Sequence, residues 1–345
     1  LSAPGLQPES FDAALVPGFR AAMRGHYRAL NAAARACLAA LEAEDQAGGG
    51  VYRQRDCPAC GAPAAGAPRL PRFCKPGLTL LRCPGCRLVY SHEVLVEAAE
   101  RQRYAGAAPG SVPAAFAALQ RSAPYARLEG AKIAYVLQQV AAFFPRPDSL
   151  LDIGCAGGAV LDAFAAAGWR VAGVEPAPEA AAAARARHPG VRCGFFPGDA
   201  PEAEDGGGFG LVTLFDLLEH MEQPLPFLAA IHGRLRPGGV LAVQVPNFDS
   251  PLVQVEGAVS SVVTPGHWSY FDPASLVMLL GRAGFRPLAL QSYISELDRL
   301  LAHPPEAVRA ALGPWAPPEL ASLRPADLFW RQQGFKLFGL FRRPA

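Results

Sequence analysis

Leu150-Leu151-Asp152-Ile153-Gly154-Cys155-Ala156-Gly157-Gly158 is the stretch that decides the fold. An apolar run long enough for a buried strand ends in glycines, and an Ala-rich helical segment begins near Val160. Glycine lets the chain turn tightly and brings backbone close to a ligand beside the positive end of the following helix. The next apolar run closes on Val174-Glu175-Pro176. A carboxylate about 20 residues past such a turn is placed to accept hydrogen bonds from ribose hydroxyls. The turn alone carries little; the turn, the acid and the strand–helix context together point to a nucleoside cofactor.

Outward from that point, apolar runs alternate with helical segments. The runs are Ser149–Ile153, Arg170–Val174, Val191–Phe195, Leu211–Phe215, Val240–Val245, Pro287–Gln291 and Phe335–Phe341. This pattern predicts an α/β domain over 147–345, a Rossmann-like, seven-stranded, mostly parallel sheet covered by helices. Residues 295–331 read as a helical, proline-interrupted insertion. Upstream, about Ser10 to Gln46 reads as helix stopped by Gly48-Gly49-Gly50, so 1–50 is expected to be a helical segment. Residues 51–90 read as a cysteine module, and 91–146 as a helical lid or linker broken around Ala107 to Pro113.

The whole chain has 345 residues, 51% hydrophobic and 18% charged, which excludes a globally disordered chain. No run approaches the roughly 18–20 apolar residues that span a bilayer. Leu1 to Ser10 lacks a basic region followed by an apolar one, so a cytoplasmic protein is the expectation, with no membrane partner.

Here the sequence resembles the class I S-adenosylmethionine-dependent methyltransferases, whose first motif is an apolar strand, Asp, any residue, then GxGxG. Ala156 replaces the middle glycine. Gly198-Asp199-Ala200 resembles the acidic turn that contacts adenine. Phe209 to His220 resembles the fourth strand and its exit, with Gly210 where an acid usually stands, and Leu235 to Asn247 the turn and fifth strand. The resemblance implies S-adenosylmethionine as cofactor, with Asp152, Gly154, Ala156, Gly158, Glu175, Asp199 and Phe215 as the residues that hold it. The methyl is carried on a sulfonium, so the protein aligns an acceptor and removes a proton where the acceptor requires it.

Two histidines fall where substrate belongs. His220 follows Asp216 and Glu219 just past the fourth strand, at the edge where open α/β sheets bind ligands. His267 lies in Gly266-His267-Trp268-Ser269-Tyr270-Phe271. That segment resembles H-x-x-Y/F-F of the zinc-containing C-methyltransferases of nucleotide-linked keto-deoxysugars, in which the histidine accepts a proton. Gly266 and Thr264 stand where that group has a glutamate and a tyrosine. The resemblance makes His267 the expected base, with His220 and Tyr270 orienting substrate. Asp216, Glu219 and His220 also resemble a stretch of ubiquinone-pathway O-methyltransferases in which a divalent cation has a role. A helix-capping acid beside a packed histidine is the preferred reading of them.

Cys57-Pro58-Ala59-Cys60 and Cys83-Pro84-Gly85-Cys86 are two CxxC turns separated by 22 residues. Four thiolates complete a tetrahedral zinc site with no open position, hence a structural metal; Cys74 is a spare candidate ligand. Net charge is +2, but residues 51–90 hold seven basic side chains against Asp56 alone, leaving 25 basic and 29 acidic elsewhere. A basic module predicts either a wall for an anionic small substrate or a contact for RNA. The first is preferred: methylation of a small, anionic natural-product or sugar-type acceptor. A zinc-containing RNA methyltransferase and a non-catalytic cofactor-binding scaffold stay open as alternatives.

Overall fold

The computed structural model describes residues 7–100 and 111–345. Helix α1 covers Phe19–Glu44. It starts later than the sequence suggests because Pro17 and Gly18 interrupt the run; Gly18 sits at φ +73°, and two short 3-10 turns precede it. Four short strands follow: β1 (Tyr52–Gln54), β2 (Leu80–Arg82), β3 (Val89–Ser91) and β4 (Glu93–Leu95). β1 pairs antiparallel with β4, and β2 with β3. Helices α2 (Val112–Gln120) and α3 (Ala123–Ala141) come next. Most of the expected break at Ala107 to Pro113 lies outside the described residues.

The α/β part then alternates as expected. It runs β5 (Ser149–Ile153), α4 (Ala159–Ala166), β6 (Arg170–Glu175), α5 (Pro178–Arg185), β7 (Val191–Cys193), β8 (Phe209–Phe215), α6 (Pro224–Arg234) and β9 (Leu235–Pro246). After α7 (Pro251–Glu256) and the two-residue β10 (Ser269–Tyr270), helix α8 (Pro273–Arg282) leads into β11 (Arg286–Tyr293). Short helices α9 (Leu297–Leu300), α10 (Pro305–Leu312) and α11 (Pro325–Trp330) fill 295–331 before β12 (Lys336–Arg342).

The seven expected strands form one sheet in the order β11-β12-β9-β8-β5-β6-β7. Five of them run parallel, and β12 enters antiparallel to both neighbours. Every residue of β5 is buried, as a central parallel strand covered on both faces requires.

Buried clusters run across the boundaries that composition suggests. Cys57, Ala59, Leu88 and Tyr90 share one core with Leu151, Leu214 and Leu279 of the sheet and its helices. Phe73, Leu78 and Val89 share another with Phe248, Leu252, Leu300 and Val308. The N-terminal turns are anchored as well. Asp12, 1% exposed, accepts hydrogen bonds from the Ser295 amide (2.6 Å) and hydroxyl (3.0 Å). Phe11 packs against Tyr135 and Tyr293 at centroid distances of 5.4 and 5.5 Å.

Candidate functional site

The turn after β5 is held by the acid that ends β6. Glu175 accepts from the Ala156 amide (2.9 Å) and the Ala177 amide (2.8 Å), one on each carboxylate oxygen. Each oxygen keeps a second lone pair for a ribose hydroxyl. Burial raises the Glu175 carboxyl above its usual range, and the two amides partly offset this. Gly154 and Gly158 lie at φ +76° and +87°, in the left-handed region that glycine enters without strain. Ala156 is there too, at φ +44°, at a cost of about 1–2 kcal/mol where glycine would have little. Its bond to Glu175 holds it in place.

Asp152 is 3% exposed and accepts from the Thr213 hydroxyl of β8 at 2.6 Å. Burial pushes its carboxyl up to about 7; Thr213 lowers it and Glu175 raises it further. Asp199, past β7, accepts from the Phe195 amide at 2.8 Å. Phe215 closes β8 with its ring 6.3 Å from that of Phe338. The fold thus gathers these side chains at the carboxyl ends of β5 to β8, and the donor and acceptor set fits a nucleoside cofactor.

Next to that edge, the two histidines meet. Their rings stand edge to face with centroids 4.6 Å apart. His220 Nδ1 lies 2.6 Å from the Gly266 carbonyl, and His267 Nδ1 lies 2.8 Å from that of Val262. A carbonyl only accepts, so each Nδ1 carries the hydrogen and Nε2 is the basic nitrogen of the neutral ring. A Glu219 oxygen and one nitrogen of each histidine lie within 4.8 Å of one another. Glu219 is 2% exposed, and burial, reinforced by the negative Asp216, pushes its carboxyl up to about 8.

Asp216 is not part of this group. No helix carries it: only a 3-10 turn, Leu218–His220, follows β8, and Asp216 itself sits at φ +52°. That kink turns its carboxylate to Lys336 (2.7 Å) and the Gln244 amide (2.7 Å). The helix-capping reading is therefore corrected, and Glu219 rather than Asp216 accompanies the histidines. Tyr270 is used differently from expectation: it is 2% exposed and packs its ring 5.6 Å from Phe248, in the cluster with Phe73 and Leu80. Sequence reasoning missed Lys336, Gln244 and Thr213, each an ordinary polar residue in a strand that gains meaning only from its neighbour across the sheet.

The four CxxC cysteines converge. Cys57 and Cys86 sulfurs are 3.5 Å apart, those of Cys60 and Cys83 3.4 Å, and all four lie within 4.8 Å of one another. Zn–S bonds of about 2.3 Å in a tetrahedron put sulfurs about 3.8 Å apart, so the set fits such an ion. Both turns have one geometry: Gly61 N donates to Cys57 O (2.8 Å) and Arg87 N to Cys83 O (2.9 Å), with Gly61 and Arg87 at positive φ. Cys74 stands apart, its thiol 3.2 Å from the Leu70 carbonyl.

Of the module's seven cations, Arg53, Arg69, Arg72 and Arg87 are exposed, while Arg55, Lys75 and Arg82 are partly buried. Lys75 donates to the Ala258 (3.1 Å) and Val263 carbonyls, Arg72 to that of Val255 (3.4 Å), and Arg53 pairs with Glu222. Arg55 donates to three carbonyls, of Ser91, Glu222 and Trp268.

A methyltransferase-domain family model matches residues 125–290. The ubiquinone biosynthesis O-methyltransferase of Cereibacter sphaeroides is 30% identical over 184 residues, covering 48% of this chain and 74% of that one. The protein of the same name from Ruegeria pomeroyi is 28% identical over 190 residues, 50% of this chain and 77% of the relative. Among solved structures, the Burkholderia thailandensis 1,6-didemethyltoxoflavin N1-methyltransferase aligns with a TM-score of 0.42 at 18% identity, over 76% of this chain and 98% of that one. With its sheet order, its glycine turn and the acid that closes the next strand, the chain belongs to the class I S-adenosylmethionine-dependent methyltransferases.

Proposed function

We propose that this methyltransferase acts on a small, anionic acceptor of natural-product or sugar type, with His267 as general base. The observation that carries the reading is the carbonyl bond at His267 Nδ1, which leaves Nε2 as the nitrogen that takes a proton. His220, held the same way, orients the acceptor beside it. Bound S-adenosylmethionine supplies the electrophilic methyl; the chain's own task is to align the acceptor and remove its proton. The relatives' printed name supports a hydroxyl oxygen as the acceptor atom.

The anion's partner in this reading is Lys336 rather than the cysteine module. Its ammonium is held at Asp216 and its charge is felt at Glu219 as well. Against RNA, Arg55 and Lys75 hold carbonyls of this chain instead of facing a polyanion. Cys57, Cys60, Cys83 and Cys86 hold a structural zinc ion in the same reading.

The test is His267→Ala, assayed by release of S-adenosylhomocysteine across a panel of hydroxylated and keto anions. Turnover should fall by about 10²-fold or more, the usual worth of a positioned base, while calorimetric affinity for S-adenosylmethionine holds within about 2-fold. Unchanged turnover removes His267 from the chemistry.

A further inference from the structure

The loop that bears His267 is not supported by the catalytic sheet alone. β10, two residues beyond His267, pairs antiparallel with β3 of the cysteine module, Ser269 opposite Tyr90 and Tyr270 opposite Val89. The Ser91 amide donates to the Trp268 carbonyl (3.0 Å), and the Trp268 amide donates to the Glu219 carbonyl (2.7 Å). His220 and His267 are therefore placed by one short chain of backbone bonds that begins in the module.

Arg55 joins all the parts of that chain. It stands between β1 and the first cysteine turn. Its Nε donates to Ser91 O on β3 (3.0 Å), one Nη to Glu222 O two residues past His220 (2.6 Å), and the other Nη to Trp268 O beside His267. The guanidinium also lies over the Tyr90 ring, 5.9 Å from its centroid. A planar fork with fixed donor directions is the side chain suited to holding three carbonyls at set angles; a lysine ammonium fixes none of them. Buried carbonyls need donors, and here one side chain serves three from separate segments.

We infer that Arg55 is a positioning residue for the methyl-transfer site, fixing the two histidine-bearing turns to each other and to the cysteine module. Its effect on turnover rests on the histidine reading above; its effect on the loop does not. Arg55 acts through backbone geometry and touches neither acceptor nor cofactor. Misplacement of reacting groups by about 1 Å costs on the order of 10²-fold in rate, so loss of the fork should register in kcat more than in cofactor binding.

Arg55 lines an open cleft of about 320 Å³ with Arg53, Asp56, Glu222, Gln223 and Leu225, which gives a small cation access to its place. The experiment compares wild type with Arg55→Ala and Arg55→Lys by kcat, by calorimetric affinity for S-adenosylhomocysteine, by metal content and by hydrogen exchange of the Ser91 and Trp268 amides. In Arg55→Ala, kcat should fall by about 10- to 100-fold with cofactor affinity within about 2-fold, and both amides should exchange at least about 10-fold faster. Millimolar guanidinium should restore part of the turnover of Arg55→Ala and none of that of Arg55→Lys. Wild-type exchange and turnover in Arg55→Ala overturn the inference, as does a loss that guanidinium leaves untouched. If Arg55→Ala does not fold, Arg55→Lys carries the test: unchanged kcat and exchange in it overturn the need for a fork. Faster exchange in Arg55→Ala beside an active His267→Ala would sink the base assignment and leave Arg55 in its role.

Discussion

Asp152→Asn isolates the acid at the head of the cofactor turn. Asp152 is buried in the middle of the sheet edge, and burial sets its carboxyl at about 7 in the fold against 3.8 for an ordinary aspartate. A folded value above the unfolded one means that this group's stability contribution is full below the unfolded value. It is lost as pH rises through the folded value. Between pH 5 and pH 8 those two values translate into roughly 2–3 kcal/mol lost, at 1.36 kcal/mol per unit. Asparagine keeps the shape and an acceptor for Thr213 but does not titrate. The variant should therefore gain on wild type by roughly 2–3 kcal/mol over that range, about 1 M in urea midpoint for a slope of roughly 3 kcal/mol/M. Urea unfolding of both proteins at half-unit pH steps, without cofactor, reads this directly. Parallel stability–pH curves would refute the argument, because they would mean that Asp152 ionises in the fold as readily as in the unfolded chain.

Two further outcomes follow from the anchors and the cysteine turns. Asp12→Ala strips the acceptor from the Ser295 amide and hydroxyl and from the Ala14 amide, and should cost about 1–3 kcal/mol in chemical denaturation for the buried donors it leaves unpaired. A loss below the error of the measurement would show that the N-terminal turns dock without it. Cys83→Ser should lower bound zinc from about one ion per chain and reduce the thermal midpoint, because a four-thiolate site contributes folding energy directly. Equal zinc content in wild type and variant, by elemental analysis, would remove the metal from the module.

Local pattern carried much of the fold. The five residues of β5 and the glycines after them could be read because a buried parallel strand and a tight turn leave consecutive residues with the same demands. Cysteine turns are similarly local: each CxxC turn closes through two backbone bonds within six residues. Reading failed where a single backbone angle redirected a side chain. A helix-capping acid among Asp216, Glu219 and His220 requires a helix there; instead Asp216, at φ +52°, points to Lys336, 120 residues away in sequence. Contacts across long separations were equally hidden. Nothing near Asp12 announces Ser295, and nothing in a two-residue strand at Ser269–Tyr270 announces its partner on β3.

Charge shows how a local count can mislead about a long-range role. Seven cations against one acid over 51–90 suggested a surface for something negative outside the chain. Yet the segment these residues meet, Val255 to Trp268, is short of regular structure, so its carbonyls lack the partners a helix or sheet would provide. Buried carbonyls must be matched, and long flexible cations are the side chains that reach them from a neighbouring element. Lys75 on Ala258 and Val263 and Arg55 on Trp268 are that match. The basicity of the module is thus divided: Arg55 and Lys75 serve the chain's own backbone, while Arg53, Arg69, Arg72 and Arg87 stay at the surface. The part turned inward follows how much irregular backbone the loop carrying His267 leaves to be held.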